Sequence, residues 1–182
     1  VSSRNGVYTQ MGESEYMVST FVNNTFVNNR LTAKSSSLSD KTNGGSAIYF
    51  KSGSGSLNLV NNTIVGNTDS CYTTSGVPSV NFNGSAVHVI SGKVRLVNNI
   101  IAGNFSSAAT AGEVYLGESA SLQNSTYNLY GGADRMNITA KSTDTVCRNY
   151  DRCVQDLQKV LDSEIVDGKL SLLLSDNGGF AP

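Results

Sequence analysis

Acid–base chemistry needs carboxylates held close together, and this chain spreads its carboxylates unevenly. It has 14 Asp and Glu, yet between Tyr16 and Gly112 there are two, Asp40 and Asp69. A glycosidase needs two carboxyl groups at a fixed separation on a rigid support. A calcium-assisted polysaccharide lyase needs a cluster of hard oxygen ligands. An active site of either kind would have to be assembled from Asp40, Asp69 and Glu113. Lys93 and Arg95 form a basic pair on one strand but have no acidic partners nearby, so surface solvation is their expected role. His88, the only histidine, has no evident group to orient it as a general base. No Gly-x-Gly-x-x-Gly, Walker or His-Glu-x-x-His pattern occurs. The distribution leans against an enzyme and predicts no catalytic residue, no metal and no cofactor.

The three cysteines allow a second kind of chemistry. Cys147 and Cys153 lie six apart, close enough for a disulfide that closes a small loop, which a secreted compartment would permit. Zinc would require further ligands. Cys71 is left over, buried or free, and its pairing with either of the others would tie a loop to the C-terminal region.

Recognition chemistry is better supplied. Tyr8, Tyr49, His88 and Tyr115 each follow an apolar residue (Val7, Ile48, Val87, Val114) in a recurring segment. With the apolar residues inward, the four rings face out as one column, a platform for sugar rings; the alternative is ring stacking that serves the sheet itself. Tyr72 joins them as a candidate contact from a neighbouring loop. A second column, Asn23, Asn61, Asn98 and Asn124, with Asn24, Asn62 and Asn99 beside it, reads as a structural ladder. Stacked amides donate and accept along an axis, and Asn tolerates the left-handed backbone of tight turns. Asn23, Asn61, Asn83, Asn104, Asn124 and Asn137 also match Asn-x-Ser/Thr, a pattern that turn chemistry generates unaided.

The elements that position these columns follow from an internal repeat. STFVNNTFVNN, LNLVNNTIVGN, VRLVNNIIAGN and ASLQNSTYNLY align from Ser19, Leu57, Val94 and Ala120, with intervals of 38, 37 and 26 between the origins Asn23, Asn61, Asn98 and Asn124. Phe21, Leu59, Leu96 and Leu122 form one apolar column, and Phe26, Ile64, Ile101 and Tyr127 another. Period-two alternation marks strands, and like residues at like positions mark a coil stacked on its neighbours. The expected fold is all-β: a right-handed parallel β-helix of about four to five rungs over residues 1–140, handed by the crossover rule. The unequal intervals place long loops at 30–43 and 68–82, side by side at one corner. Residues 141–182 form a C-terminal cap with a short helix near 151–164, where Val154, Leu157, Leu161 and Ile165 recur at helical spacing and Asp151 stands at the N-cap.

Gly44, Gly45, Ala47 and Ile48, the segment Phe26 to Asn29, NIIAGN at 99–104, STYNLYG at 125–131 and LSDNGG at 174–179 resemble the β-helix repeats of bacterial surface, polymorphic outer-membrane and autotransported proteins. The resemblance covers about residues 5–131 and the tail. It implies a β-helix and a secreted or outer-membrane-associated location, and is nearly silent on activity.

Composition narrows the partners. The chain has 182 residues, a formal net charge of −1, and 26 Ser, 20 Asn, 18 Gly and 14 Thr. No basic cluster exists for nucleic acid and no apolar run approaches a membrane span. The chain starts at VSSRNG and stops at GGFAP, so an excised piece of a longer protein is expected. The functional expectation is a secreted or cell-surface adhesion module that takes a glycan or an extracellular host or matrix protein. A β-helical lyase or hydrolase, active or inactive, and a spacer without ligand are the alternatives.

Overall fold

The computed structural model describes residues 7–10, 16–35, 44–73, 86–107, 112–159 and 161–173. The chain makes four similar passes. The first holds β1 (Val7–Gln10), β2 (Val18–Val22), β3 (Thr25–Val27) and β4 (Arg30–Ser35). The second holds β5 (Ile48–Val60), β6 (Thr63–Val65) and β7 (Thr68–Thr73), and the third β8 (Val87–Val97), β9 (Ile100–Ala102) and β10 (Phe105–Ser106). The fourth holds β11 (Val114–Thr126) and β12 (Leu129–Tyr130), followed by a 3-10 turn at Ala133–Arg135 and β13 (Thr145–Val146). The chain then forms α1 (Tyr150–Leu157) and a hairpin of β14 (Ser163–Val166) and β15 (Lys169–Leu172).

Equivalent strands of successive passes pair in parallel. One sheet runs β1-β5-β8-β11 with β2 also on β5, a second runs β13-β12-β9-β6-β3, and a third runs β10-β7-β4. Apart from the antiparallel hairpin of β14 and β15, every strand pairing among the described residues is parallel. The protein is therefore all-β and parallel, with one short helix among the described residues. Leu57, Leu59, Val94 and Leu96 are fully buried, in register with one another, and share the core with Ile64, Ile101 and Tyr130. Outward neighbours such as Lys93 and Arg95 stay exposed, which is the expected alternation.

Three sequence expectations change. The segments at 30–43 and 68–82 are not loops throughout. Arg30–Ser35 and Thr68–Thr73 are strands paired residue for residue, and Leu31 and Asp69 are buried in them. Their Ser, Thr and Lys content hid a third sheet; residues 36–43 and 74–82, and with them Asp40, lie outside the described residues. The fourth repeat is also shifted. β11 carries irregularities between Leu116 and Ser119 and between Leu122 and Asn124, so Leu122 pairs with Val94, and Ser125, not Leu122, stands opposite Leu96. Tyr130, not Tyr127, then fills the interior column beside Ile101.

The third change concerns the C-terminal region. The helix is Tyr150–Leu157, shorter than 151–164, and Asn149 rather than Asp151 caps it, accepting from the Arg152 N–H at 2.9 Å. Ile165 lies in β14 and is 45 % exposed. Nor does the helix cover the end of the stack. Tyr150, Cys153, Val154, Leu157 and Leu170 pack on Val65 and Ala102, the outward residues of β6 and β9. The end is closed instead by β13 on β12 and by residues 135–137 on the start of β11.

Candidate functional site

Both corners of the middle sheet use one local device: a left-handed residue followed by a buried asparagine. At the first corner Asn23, Asn61, Asn98 and Tyr127 have φ of 58°, 56°, 54° and 58°. Asn62, Asn99 and Asn128 follow and are buried, while Asn24 is exposed at the first layer. At the second corner Asn28, Gly66 and Gly103 have φ of 56°, 68° and 68°, and Asn29, Asn67 and Asn104 follow. Asn and Gly visit this region at least cost.

The buried amides form two ladders. Asn24, Asn62 and Asn99 each donate a backbone N–H to Oδ1 of Asn62, Asn99 and Asn128 in turn, each at 2.9 Å, and donate Nδ2–H to the same atom. Asn29, Asn67 and Asn104 repeat the pattern, with Asn29 and Asn67 donating to Oδ1 of Asn67 and Asn104. Each ladder ends on a carboxyl group whose oxygens accept. Asp144 accepts from Asn128 N–H at 2.9 Å and Nδ2–H at 3.0 Å, and Glu113 accepts from Asn104 Nδ2–H at 2.6 Å. The ladder expected at Asn23, Asn61, Asn98 and Asn124 thus runs one residue later. The first three of those residues make its exposed turns, and Asn124 faces Arg95, outside the column, because of the bulge in β11.

Glu113 is fully buried, and burial pushes its carboxyl up to about 8, against the lowering effect of the Asn104 donors and Arg135. Burial also raises the Asp144 carboxyl, but hydrogen bonds from Asn128, Lys141 and Ser125 outweigh it and hold that group below the usual range. Ser125 Oγ donates to Asp144 at 2.7 Å and lies 2.9 Å from the Tyr130 hydroxyl, completing a polar plug in the last layer. Glu113 therefore works as a structural cap.

The ring column is in register as expected: Tyr8 pairs with Tyr49, Tyr49 with His88 and His88 with Tyr115. Its exposure is not as expected. Tyr49 is 4 % exposed and His88 fully buried, with Tyr115 half-buried at the end. The rings of Tyr49 and His88 stack at 5.8 Å, and His88 and Tyr115 meet at 5.1 Å. The column does point away from the core, but Gly44 packs directly on the His88 ring, where a Cβ would collide. Tyr49 and His88 are thus covered on the outer side of the sheet and offer no open platform. The side chains of Tyr8 and Tyr72 lie outside the described residues. Cys147 and Cys153 are joined by a disulfide, with Cα atoms 5.5 Å apart; the Cys71 side chain lies outside the described residues. Among the sequons, Asn104 is fully buried within its ladder, and the Asn137 amide is engaged with Leu116 N–H and C=O, each at 2.7 Å.

An open surface is found where the sequence reading did not place one. A groove of about 500 Å³ runs along the first corner and the outer face of the middle sheet. Its ridge is Asn61, Asn98 and Tyr127, and its floor includes Thr63, Ile100 and Thr145. Tyr127 is 68 % exposed and Ile100 40 %. Asn98 Nδ2 donates to Asn61 Oδ1 at 2.8 Å, which orients the ridge amides. Among the described residues, no charged side chain lines the groove. The signal that would have found Tyr127 is its place directly before Asn128, where every other pass has Asn before Asn.

Among the described residues, no three His, Cys, Asp or Glu side chains gather as a metal site, and no helix is long and apolar enough to cross a membrane. In comparisons with known proteins, no family model matches the chain, and no curated protein or solved structure matches it.

Proposed function

We propose that this chain is a right-handed parallel β-helix that serves as a secreted or cell-surface binding module and takes a neutral glycan in the groove headed by Tyr127. The β-helix reading is supported by three parallel sheets visited in fixed order with side chains stacked in columns, and its hand follows the crossover preference. The Cys147–Cys153 bond suits an oxidising compartment. One observation carries the ligand class. An aromatic ring is held two-thirds exposed in a left-handed conformation that costs a β-carbon-bearing residue about 1–3 kcal/mol, beside oriented amides and threonines and without a charge. A ring face with amide and hydroxyl donors around it is the composition that stacks on a sugar and reads its hydroxyls. Aromatic contacts of this kind contribute about 0.5–1.5 kcal/mol. A glycan array on the isolated domain, followed by calorimetry on the best neutral oligosaccharide, tests this. Tyr127→Ala should weaken binding several-fold. Equal binding by wild type and variant, or an array that returns acidic glycans alone, would sink the assignment.

A further inference from the structure

The groove beside Tyr127 is built one layer at a time. β6, β9 and β12 each bring to it a ridge residue at the corner and a floor residue two positions later: Asn61 with Thr63, Asn98 with Ile100 and Tyr127 with Leu129. β13 repeats the offset with Thr143 and Thr145. Thr145 pairs with Leu129 and donates its N–H to the Asn128 carbonyl, as Thr63, Ile100 and Leu129 donate to the carbonyls of Asn24, Asn62 and Asn99. Asp144 stands where the other layers have the ladder asparagine. Neighbouring strands lie about 4.8 Å apart, so the four layers span about 14 Å.

The walls fix the direction of the groove. The corner ridge bounds it on one side. On the other, Val65 and Ala102, the next outward residues of β6 and β9, are covered by Leu157 and Leu170. With β6 and β9 only three residues long, an extended ligand has to lie across the strands, along the stack. The chemistry also changes by layer. Ile100 and Leu129 give the two middle layers an apolar floor beside the Tyr127 ring, and Thr63 and Thr145 place hydroxyls in the two outer layers. The Asn98–Asn61 hydrogen bond leaves Asn61 Nδ2 to donate and Asn98 Oδ1 to accept, and sugar hydroxyls can answer both.

Resting on the neutral-glycan reading above, we infer that the groove takes an extended β-1,4-linked pyranose chain laid along the stack, one sugar per layer and four in all. An equatorially linked chain of this kind advances by about one strand spacing per residue, so each ring meets its own ridge and floor pair. An α-1,4-linked chain of the same sugar curls and loses that register.

The test is calorimetry on the intact protein with cello-, manno- and chito-oligosaccharides of two to six residues, and malto-oligosaccharides of the same lengths as the curled control. At least one β-1,4 series should bind. Its Kd should fall with each added sugar up to four and change less than twofold beyond, and the maltotetraose should bind at least tenfold more weakly. Tyr127→Ala should weaken every length. Thr63→Val keeps the shape of an outer layer and removes its hydroxyl, so it should weaken the tetrasaccharide several-fold and leave the disaccharide unchanged, a split that a merely structural role would not give. A disaccharide as tight as the tetrasaccharide, or malto-oligosaccharides that bind equally, overturns the inference and leaves the glycan reading standing. So does a neutral glycan found on the array with no binding of any β-1,4 series. Only an array without a neutral hit, together with no binding in any series, brings down both.

Discussion

Tyr127 and Asn98 hold the same backbone conformation for different ends, and substitution should separate them. Tyr127→Asn restores the residue that the other three passes use, so it should relieve strain and raise stability by about 0.5–1 kcal/mol in denaturant melts. The same change removes the ring and should weaken glycan binding several-fold. One step along, Asn98→Ala should cost about 1 kcal/mol, because only an exposed turn is involved. Asn99→Ala should cost about 3 kcal/mol, because it leaves the buried Asn62 backbone N–H without its acceptor and removes one bond each from the Asn62 amide and the Leu59 carbonyl. An equal cost for the two would refute the ladder assignment. Glu113 adds a pH dependence whose sign is fixed. Its folded pKa, about 8, lies above the ordinary value of 4.5, so the folded state holds the proton more tightly. Its contribution is complete below about 4.5 and is lost as pH rises to about 8. Melts at pH 5, 6.5 and 8 should show stability falling, and Glu113→Gln should flatten that slope. Residue types alone revealed the amide columns and the αL turns. Which of two adjacent asparagines turns inward was not legible, because both members of an Asn-Asn pair satisfy the same turn chemistry.

At the scale of elements, strand alternation was enough to identify β2, β5 and β8, since Leu57, Leu59, Val94 and Leu96 leave one register possible. It failed at β11, where two irregularities displace the column and no local residue announces them. It failed again at β4 and β7, whose buried Asp69 and Ser70 read as polar loop. The closing elements follow a simple rule: a ladder that runs out of amides ends on a carboxyl oxygen that accepts. Asp144 meets Asn128, Ser125 and Lys141 at once, so Asp144→Ala should cost about 2–4 kcal/mol, more than its partial exposure suggests. Its pH signature opposes that of Glu113. With the folded pKa below the ordinary 3.8, stability from Asp144 is present above that value and lost as pH falls through the folded pKa. Acid unfolding that is unchanged in Asp144→Asn would show that the hydrogen bonds seen at this carboxylate do not act on stability.

Across the whole molecule, the passes are joined mainly to their neighbours, and such stacks are limited by their weakest interface. The C-terminal segment changes that. After the disulfide it runs back along the flank, so that Leu157 and Leu170 meet Gly103, Leu170 and Leu172 meet Gly66, and Leu172 reaches Asn28 of the first pass. There the Asn28 amide donates to Leu172 C=O at 2.8 Å and accepts from Leu172 N–H at 3.0 Å, across 144 residues of chain. The segment thus bolts the first pass to the last. The same glycines that make the second corner leave the channel in which it lies, and a methyl at Gly103 would strike both Leu157 and Leu170. Leu170→Asp should therefore do more than lower the melting temperature. Burying a charge against Val65 and Ala102 should release the segment, and the first two passes should then exchange amide hydrogens faster than the last two. Asn28→Ala, which cuts the bracket but keeps the apolar contacts, should show the same asymmetry more weakly. Uniform loss of protection in both variants would mean that the stack unfolds as one unit and that the flank segment adds stability without coupling its ends.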